Sequence, residues 1–207
     1  MKIVSFASTL MSMAAIASSS AAIIIANPSF EADSLADAPD DFTNNTITSW
    51  AGATSSAFNH GAVDPASGSA AEAQVTGENS AYMVGTSFIS QNVSVTADIN
   101  VGDQVTFSFD AWRNNGTTNI MTIAFAGLSP QVVDLGTGAN DGTPNDIVFT
   151  ATSTIPTGTA LLRFDHTGSG AQSRLDNITA VVTPIPEPTS SVLLGISGLT
   201  LLLRRRK

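Results

Sequence analysis

The chain has 207 residues, with 17 Asp and Glu against 8 Lys and Arg, 43% hydrophobic and 12% charged residues, and no cysteine. The lack of cysteine excludes disulfides, thiolate metal sites and a cysteine nucleophile, and a net charge of −9 argues against a nucleic-acid partner, which needs clustered Lys and Arg. A charged share about half that of an average soluble protein also disfavours an ordinary helical cytosolic enzyme.

Residues 1–22 open with Lys2, continue through Ile3, Val4, Phe6, Leu10, Met11, Met13 and Ile16, and finish on Ser20-Ala21-Ala22. A basic start, an apolar middle and small residues at the end form a secretory signal peptide, with cleavage expected after Ala22. Residues 23–183 follow as one domain, long enough for a single sizeable core. Within it Glu31 to Thr46, carrying Asp33, Asp37, Asp40 and Asp41, reads as a polar surface segment. The clearest strand is Gln104 to Asn114, with Val105, Phe107, Phe109 and Ala111 on one face and Thr106, Ser108, Asp110 and Trp112 on the other. Weaker alternating runs are Ala81 to Gly85, Phe88 to Val95, Asn119 to Ala126, Gln131 to Leu135, Asp146 to Thr154, Ala160 to His166 and Arg174 to Val182. Gly136 to Asn145 is a loop by composition. Many short strands and no helical stripe predict an all-β fold, an antiparallel β-sandwich.

The C-terminus carries Pro186-Glu187-Pro188, an uncharged span over residues 189–203, and Arg204-Arg205-Arg206-Lys207. As a single hydrophobic helix the span would reach about 22 Å, short of a hydrocarbon core of about 30 Å, and the basic cluster would stay cytoplasmic. This tail, residues 184–207, resembles the PEP-CTERM sorting signal of Gram-negative bacteria. The resemblance implies recognition of Pro186, Glu187 and Pro188 by an exosortase and a transient inner-membrane stage through residues 189–203. The protein would then pass to the cell envelope, outer surface or extracellular matrix. The alternative is a tail anchor that stays in place.

Asn27-Pro28-Ser29-Phe30-Glu31, Trp50, the runs Ser90 to Val95 and Val105 to Ala111, and Leu175-Asp176-Asn177-Ile178 together resemble the galactose-binding-like jelly rolls of carbohydrate-binding modules. The resemblance implies a structural Ca²⁺ tying the first strand to the last through Glu31 and Asp176, and a core position for Trp50. Carboxylate oxygens suit that ion, although both residues could equally bond turn amides. A second acidic group, Asp134, Asn140, Asp141 and Asp146, fails the EF-hand pattern because Thr137 and Ala139 stand where oxygen ligands are needed.

Trp112 shares a polar strand face with Asp110, and Arg113 and Asn114 follow it. An aromatic ring with donors and acceptors beside it is the chemistry of sugar binding, while the plainer reading packs Trp112 under a loop. Catalysis is disfavoured: only His60 and His166 are available, no G-x-S-x-G occurs, and His166 should point away from Asp165 on a strand. The expectation is a non-catalytic exported module binding extracellular polysaccharide, with a structural matrix or surface-coat protein as the alternative and ice adhesion or glycan hydrolysis further behind. Between residues 23 and 183 there are three arginines, no lysine and sixteen acids, a net −13. Such a field favours divalent cations and neutral glycans over anionic polymers.

Overall fold

The computed structural model describes residues 20–33, 35, 41–43, 45–54, 60–64, 75, 77–115, 119–136, 143–168 and 172–185. Among these residues twelve strands run in order as β1 (Ile23–Ile24), β2 (Asp41–Phe42), β3 (Ala51–Thr54), β4 (His60–Asp64), β5 (Ser80–Val84), β6 (Ser87–Val95), β7 (Gln104–Asn115), β8 (Ile120–Phe125), β9 (Gln131–Asp134), β10 (Thr143–Thr150), β11 (Gly158–Thr167) and β12 (Gln172–Thr183). Every pairing between them is antiparallel.

The topology identifies the fold. Strands β5 to β12 form four hydrogen-bonded ribbons, β5 with β12, β6 with β11, β7 with β10 and β8 with β9. They are distributed over two sheets with orders β10-β7-β12-β5 and β6-β11-β8-β9. Eight strands wrapped this way are a double-sheet jelly roll. The first four strands widen it: β4 and β2 continue the first sheet beyond β5, and β1 and β3 both pair with β6. The two sheets are called here the β7 sheet and the β6 sheet.

Alternation along the strands supplies the core. From the β7 sheet, Phe107 and Phe109 point inward and meet Phe125 and Phe164 of the β6 sheet at centroid distances of 5.0 and 5.4 Å, both edge-on. Each fully buried ring contributes about 1.5–3 kcal/mol by removal from water. Trp50 is buried beside Phe30 and Phe164, with its indole N–H donating to the Asn27 carbonyl at 3.1 Å.

The segment opened by Asn27-Pro28 is built by side-chain bonds. Asn27 accepts from the Ala32 N–H, and Asp33 accepts from both the N–H and the hydroxyl of Thr48. Phe30 holds φ +63°, a left-handed conformation that bulky residues rarely adopt. Complete burial of its ring against Trp50 offsets that strain. The same segment reaches the last strand, where the Ile178 N–H donates to the Pro28 carbonyl at 3.0 Å.

Expected and observed strands agree closely for β5 to β9, β11 and β12. Two expectations are corrected. β10 begins at Thr143, inside the stretch read as a loop, and stops at Thr150, whereas the run was expected to extend to Thr154. Pro144 is consistent with the place of β10 at the sheet edge, where proline is found in strands. Among its described residues the polar segment from Glu31 to Thr46 contains one short strand, β2. Residues 1–19 and 186–207, with the sorting motif, the hydrophobic span and the basic tail, lie outside the described residues.

Candidate functional site

The outward face of the β7 sheet carries side chains that elsewhere belong in a site. In register across three strands stand Trp112 on β7, Arg174 on β12 and Tyr82 on β5. Paired residues on neighbouring antiparallel strands share a face, so the three side chains form one row. A second row places Asp110 of β7 directly opposite Asp176 of β12, and Ser80 lies on the same side of β5 two residues before Tyr82.

These groups point away from the core, yet they are buried: Trp112 is 1% exposed and Asp176 0%, and Tyr82, Arg174 and Ser80 are buried with them. Asp110 is half-exposed and forms the open end. Trp112 and Tyr82 do not belong to the main hydrophobic cluster between the sheets. Within this layer the Trp112 indole N–H and the Ser80 hydroxyl have no hydrogen-bond partner. Buried donors are almost always paired, so two on one outward face call for an explanation.

Two like charges directly opposite on a sheet repel, and Asn177 answers part of that cost. Its backbone N–H donates to Asp176 Oδ1 at 2.7 Å and its side-chain amide to Asp110 Oδ2 at 3.3 Å. Asn177 does this from φ +51° at the slip in register between Asp176 and Thr179. Asparagine enters that region more readily than most residues.

Tyr82 forms the far wall. Its hydroxyl donates to the Thr43 carbonyl at 2.8 Å. Its ring lies across Gly61, where a Cβ would come 2.7 Å from Tyr82 Cε1 and 2.0 Å from the Thr43 oxygen. Burial pushes the Tyr82 phenol up, and the Arg174 charge offsets part of that rise.

The residues expected from sequence therefore separate. Trp112 and Asp110 share the outward face as expected, with Trp112 buried and not presented as an open ring. Arg113, the next residue along the strand, points to the other side of the sheet, across from Ser173. The side chain of Asn114 lies outside the described residues. Glu31 Oε1 accepts from the Glu78 and Asn79 N–H groups at 3.0 and 2.9 Å. Gly77, at φ +104°, makes room for that carboxylate, since a Cβ there would sit 2.5 Å from Glu31 Oε1. Glu31 and Asp176 are thus held by different neighbours, and the first and last elements are joined through the Pro28 carbonyl. Among the described residues no three His, Asp or Glu side chains gather to hold a metal ion. Of the second acidic group, Asp134 Oδ1 accepts from the Gly136 N–H, while Asn140 and Asp141 lie outside the described residues.

Sequence reasoning missed Arg174 and Ser80. The spacing of Arg174 and Asp176 within one strand was the available signal, because it places both on one face.

Two other regions hold polar chemistry. Asp165 and His166 point to opposite faces, as alternation requires. His166 is buried between the sheets, where its Nε2 lies 3.1 Å from Asn119 Oδ1, which also accepts from Ser173 Oγ at 2.9 Å. His60 is buried on β4, its ring over Gly52, where a Cβ would come within 2.3 Å. Burial lowers the pKa of both histidines, and backbone groups at Gly85 and Asn45 partly oppose it.

On the outward face of the β6 sheet, Arg163 stacks over Phe88 at 3.6 Å and forks onto both oxygens of Asp165. Side-chain exposures of 36% and 33% make this an open, neutralised pair. Leu161, Val132 and Ile24 are exposed on this sheet.

No protein-family model matches the chain, and no curated protein matches it. Solved structures do. A cyclase from Fischerella sp. TAU, in complex with 4-(1H-indol-3-yl)butan-2-one, superposes with a TM-score of 0.62 at 18% identity, over 80% of this chain and 99% of the cyclase. A family 35 carbohydrate-binding module from Clostridium thermocellum matches at 0.44 and 16% identity, over 69% and 98% of the two chains. The module TmCBM61, in complex with β-1,4-galactotriose, matches at 0.42 and 12%, over 75% and 95%. At these identities the likeness concerns the fold.

Proposed function

We propose that the chain is an exported, exosortase-sorted surface or matrix protein whose jelly roll binds carbohydrate, without turnover, on the outward face of the β7 sheet. The observation that carries the binding reading is the buried layer of Trp112, Arg174, Tyr82, Asp176 and Ser80 on a face directed away from the core, with two donors unpaired. A sugar supplies what that layer lacks. Its hydroxyls accept from the Trp112 indole and the Ser80 hydroxyl, and donate to the Asp110 and Asp176 carboxylates. Two acids against one arginine favour a neutral glycan over an acidic one. Entry is from the Asp110 end, the half-exposed part of the face. The Pro-Glu-Pro element, the uncharged span and the basic tail support sorting to the envelope.

A glycan array probed with the exported chain tests this reading. Saturable binding that weakens about tenfold or more in Asp110→Asn, a loss of about 1.4 kcal/mol, supports it, and binding to no glycan removes it. Calcium between Glu31 and Asp176 is a separate component of the proposal. A fall in melting temperature on chelation supports it, and an unchanged one assigns Glu31 to its turn amides alone.

A second reading has its own observation. Leu161, Val132 and Ile24 are apolar and exposed on the other sheet, and apolar surface of this kind favours association. In a structural matrix protein that face would pack against further copies, and sedimentation would show self-association without any glycan.

A further inference from the structure

We propose that the end of the sandwich from which β12 leaves is a lipid-docking surface, with Val101 and Ile185 resting on the bilayer and the closed face held away from it. This deepens the sorting reading above and rests on its membrane stage. Thr183, the last residue of β12, stands in register with Gln104 of β7, whereas Trp112 lies about 27 Å further along β7. At the Thr183 end the segments 96–103 and 151–157 are joined by the bridge of Ile99 with Ile155 and by the Ala151 N–H, which donates to the Asp103 carbonyl at 2.9 Å. The exit of the chain is fixed to them. Asp103 is buried, and its two carboxylate oxygens accept from the Ile185 N–H at 3.1 Å and the Asn100 N–H at 2.8 Å.

The backbone is thus held to the body as far as Ile185, and four residues later, at Thr189, the uncharged span begins. Four residues reach about 14 Å at most. With the span in the bilayer and the basic cluster on the cytoplasmic side, this end stands no further than that from the lipid. A span of about 22 Å in a core of about 30 Å draws it closer still. The surface there suits contact with lipid. Val101 tips a turn closed by the Asp103 N–H, which donates to the Asn100 carbonyl at 3.0 Å, with Gly102 at φ +95°. Single exposed apolar residues are ordinary, but Val101 at 64% and Ile185 at 48% exposure stand together at the exit, and Pro184 and Pro156 are exposed at the same end. Residues 96–103, 151–157 and 184–185 hold no lysine, arginine or glutamate, and two aspartates. Asp103 is the buried clamp, and Asp98 accepts from both the N–H and the hydroxyl of Thr157 at 2.7 and 2.8 Å. In a domain of net −13, this end has little charge to desolvate.

Because the chain has no cysteine, a single introduced one carries a fluorophore unambiguously. The exported chain, tail included, is labelled at Val101→Cys or at Thr167→Cys. It is then reconstituted into vesicles of phosphatidylethanolamine and phosphatidylglycerol, with or without lipid bearing a nitroxide at the headgroup. Both positions are exposed, and Thr167 ends β11 about 30 Å from Gly158, at the opposite end of the sandwich. The nitroxide should quench the Val101 label and leave the Thr167 label at its full intensity. Equal quenching of both labels, or of Thr167 alone, overturns the proposal. A Val101 label shielded from water yet unquenched places a second copy on this end and overturns it as well. Flotation of the same vesicles separates the two failures: a chain that does not float with them contradicts the membrane stage and the proposal with it, whereas a chain that floats with Thr167 quenched contradicts the orientation alone.

Discussion

The two outward faces of this sandwich are built from the same strand alternation and reach opposite states. On the β6 sheet, Arg163, Asp165 and Phe88 satisfy one another in the open: the guanidinium lies on the ring and forks onto the carboxylate, and water reaches all three. On the β7 sheet, Arg174, Asp176, Trp112 and Tyr82 are the same kinds of group, buried, with the indole N–H unpaired. Exposed ion pairs contribute little to stability, because water and salt screen them. Buried charges and donors cost several kcal/mol if left incomplete. A chain that carries only three arginines between residues 23 and 183 places one in each environment, and the unpaired indole N–H on the closed face is what motivates the proposal that a ligand binds there.

Substitutions should separate the faces in this order. Trp112→Ala removes a fully buried ring and should cost about 3–5 kcal/mol in chemical denaturation; an open stacking ring would cost far less, so a loss below about 1 kcal/mol would break the contrast. Gly61→Ala should cost about 1–3 kcal/mol by forcing Tyr82 and Thr43 apart, with thermal melting as the readout. On the open face, Arg163→Gln should change stability by no more than about 1 kcal/mol. A larger loss would show that the Phe88 platform is not merely a surface feature.

Acidification tests the interior between the faces. Burial lowers the folded pKa of His60 and His166 below the ordinary value near 6.5. The unfolded chain therefore takes up protons first. Stability is complete above that value and falls as the pH drops below it, toward the depressed folded pKa values. Melting temperatures should decline between about pH 7 and pH 5.5, and less steeply in His60→Gln; a flat profile would contradict the buried, neutral state of both rings.

Much of this architecture was legible in the sequence because the later strands bury only one face. In β7 and β11 the apolar residues alternate with polar ones, and a period of two survives. Strands β4 and β5 show no alternation, since four of five residues in each are buried on both sides. That loss of pattern is itself a consequence of the closed face, where Ser80 and Tyr82 are buried like the core residues Ala81 and Met83 that alternate with them. Trp112 and Asp110 could be placed on one face by counting along one strand. Arg174, Tyr82 and Ser80 join them only through pairing between strands distant in sequence, which no local spacing reveals. Asn177 escaped for a related reason: the register slip it occupies is a property of two strands and not of one.

The indole N–H signals of the two tryptophans test the central claim most directly. Trp50 is already bonded to the Asn27 carbonyl, whereas the Trp112 donor has no partner. In a titration of the isotopically labelled protein with the glycan that binds best on an array, the Trp112 indole resonance should move saturably while that of Trp50 stays in place. Saturable binding that leaves the Trp112 indole unmoved and shifts only amides of β6, β8 and β11 would contradict the assignment of the site to the closed face.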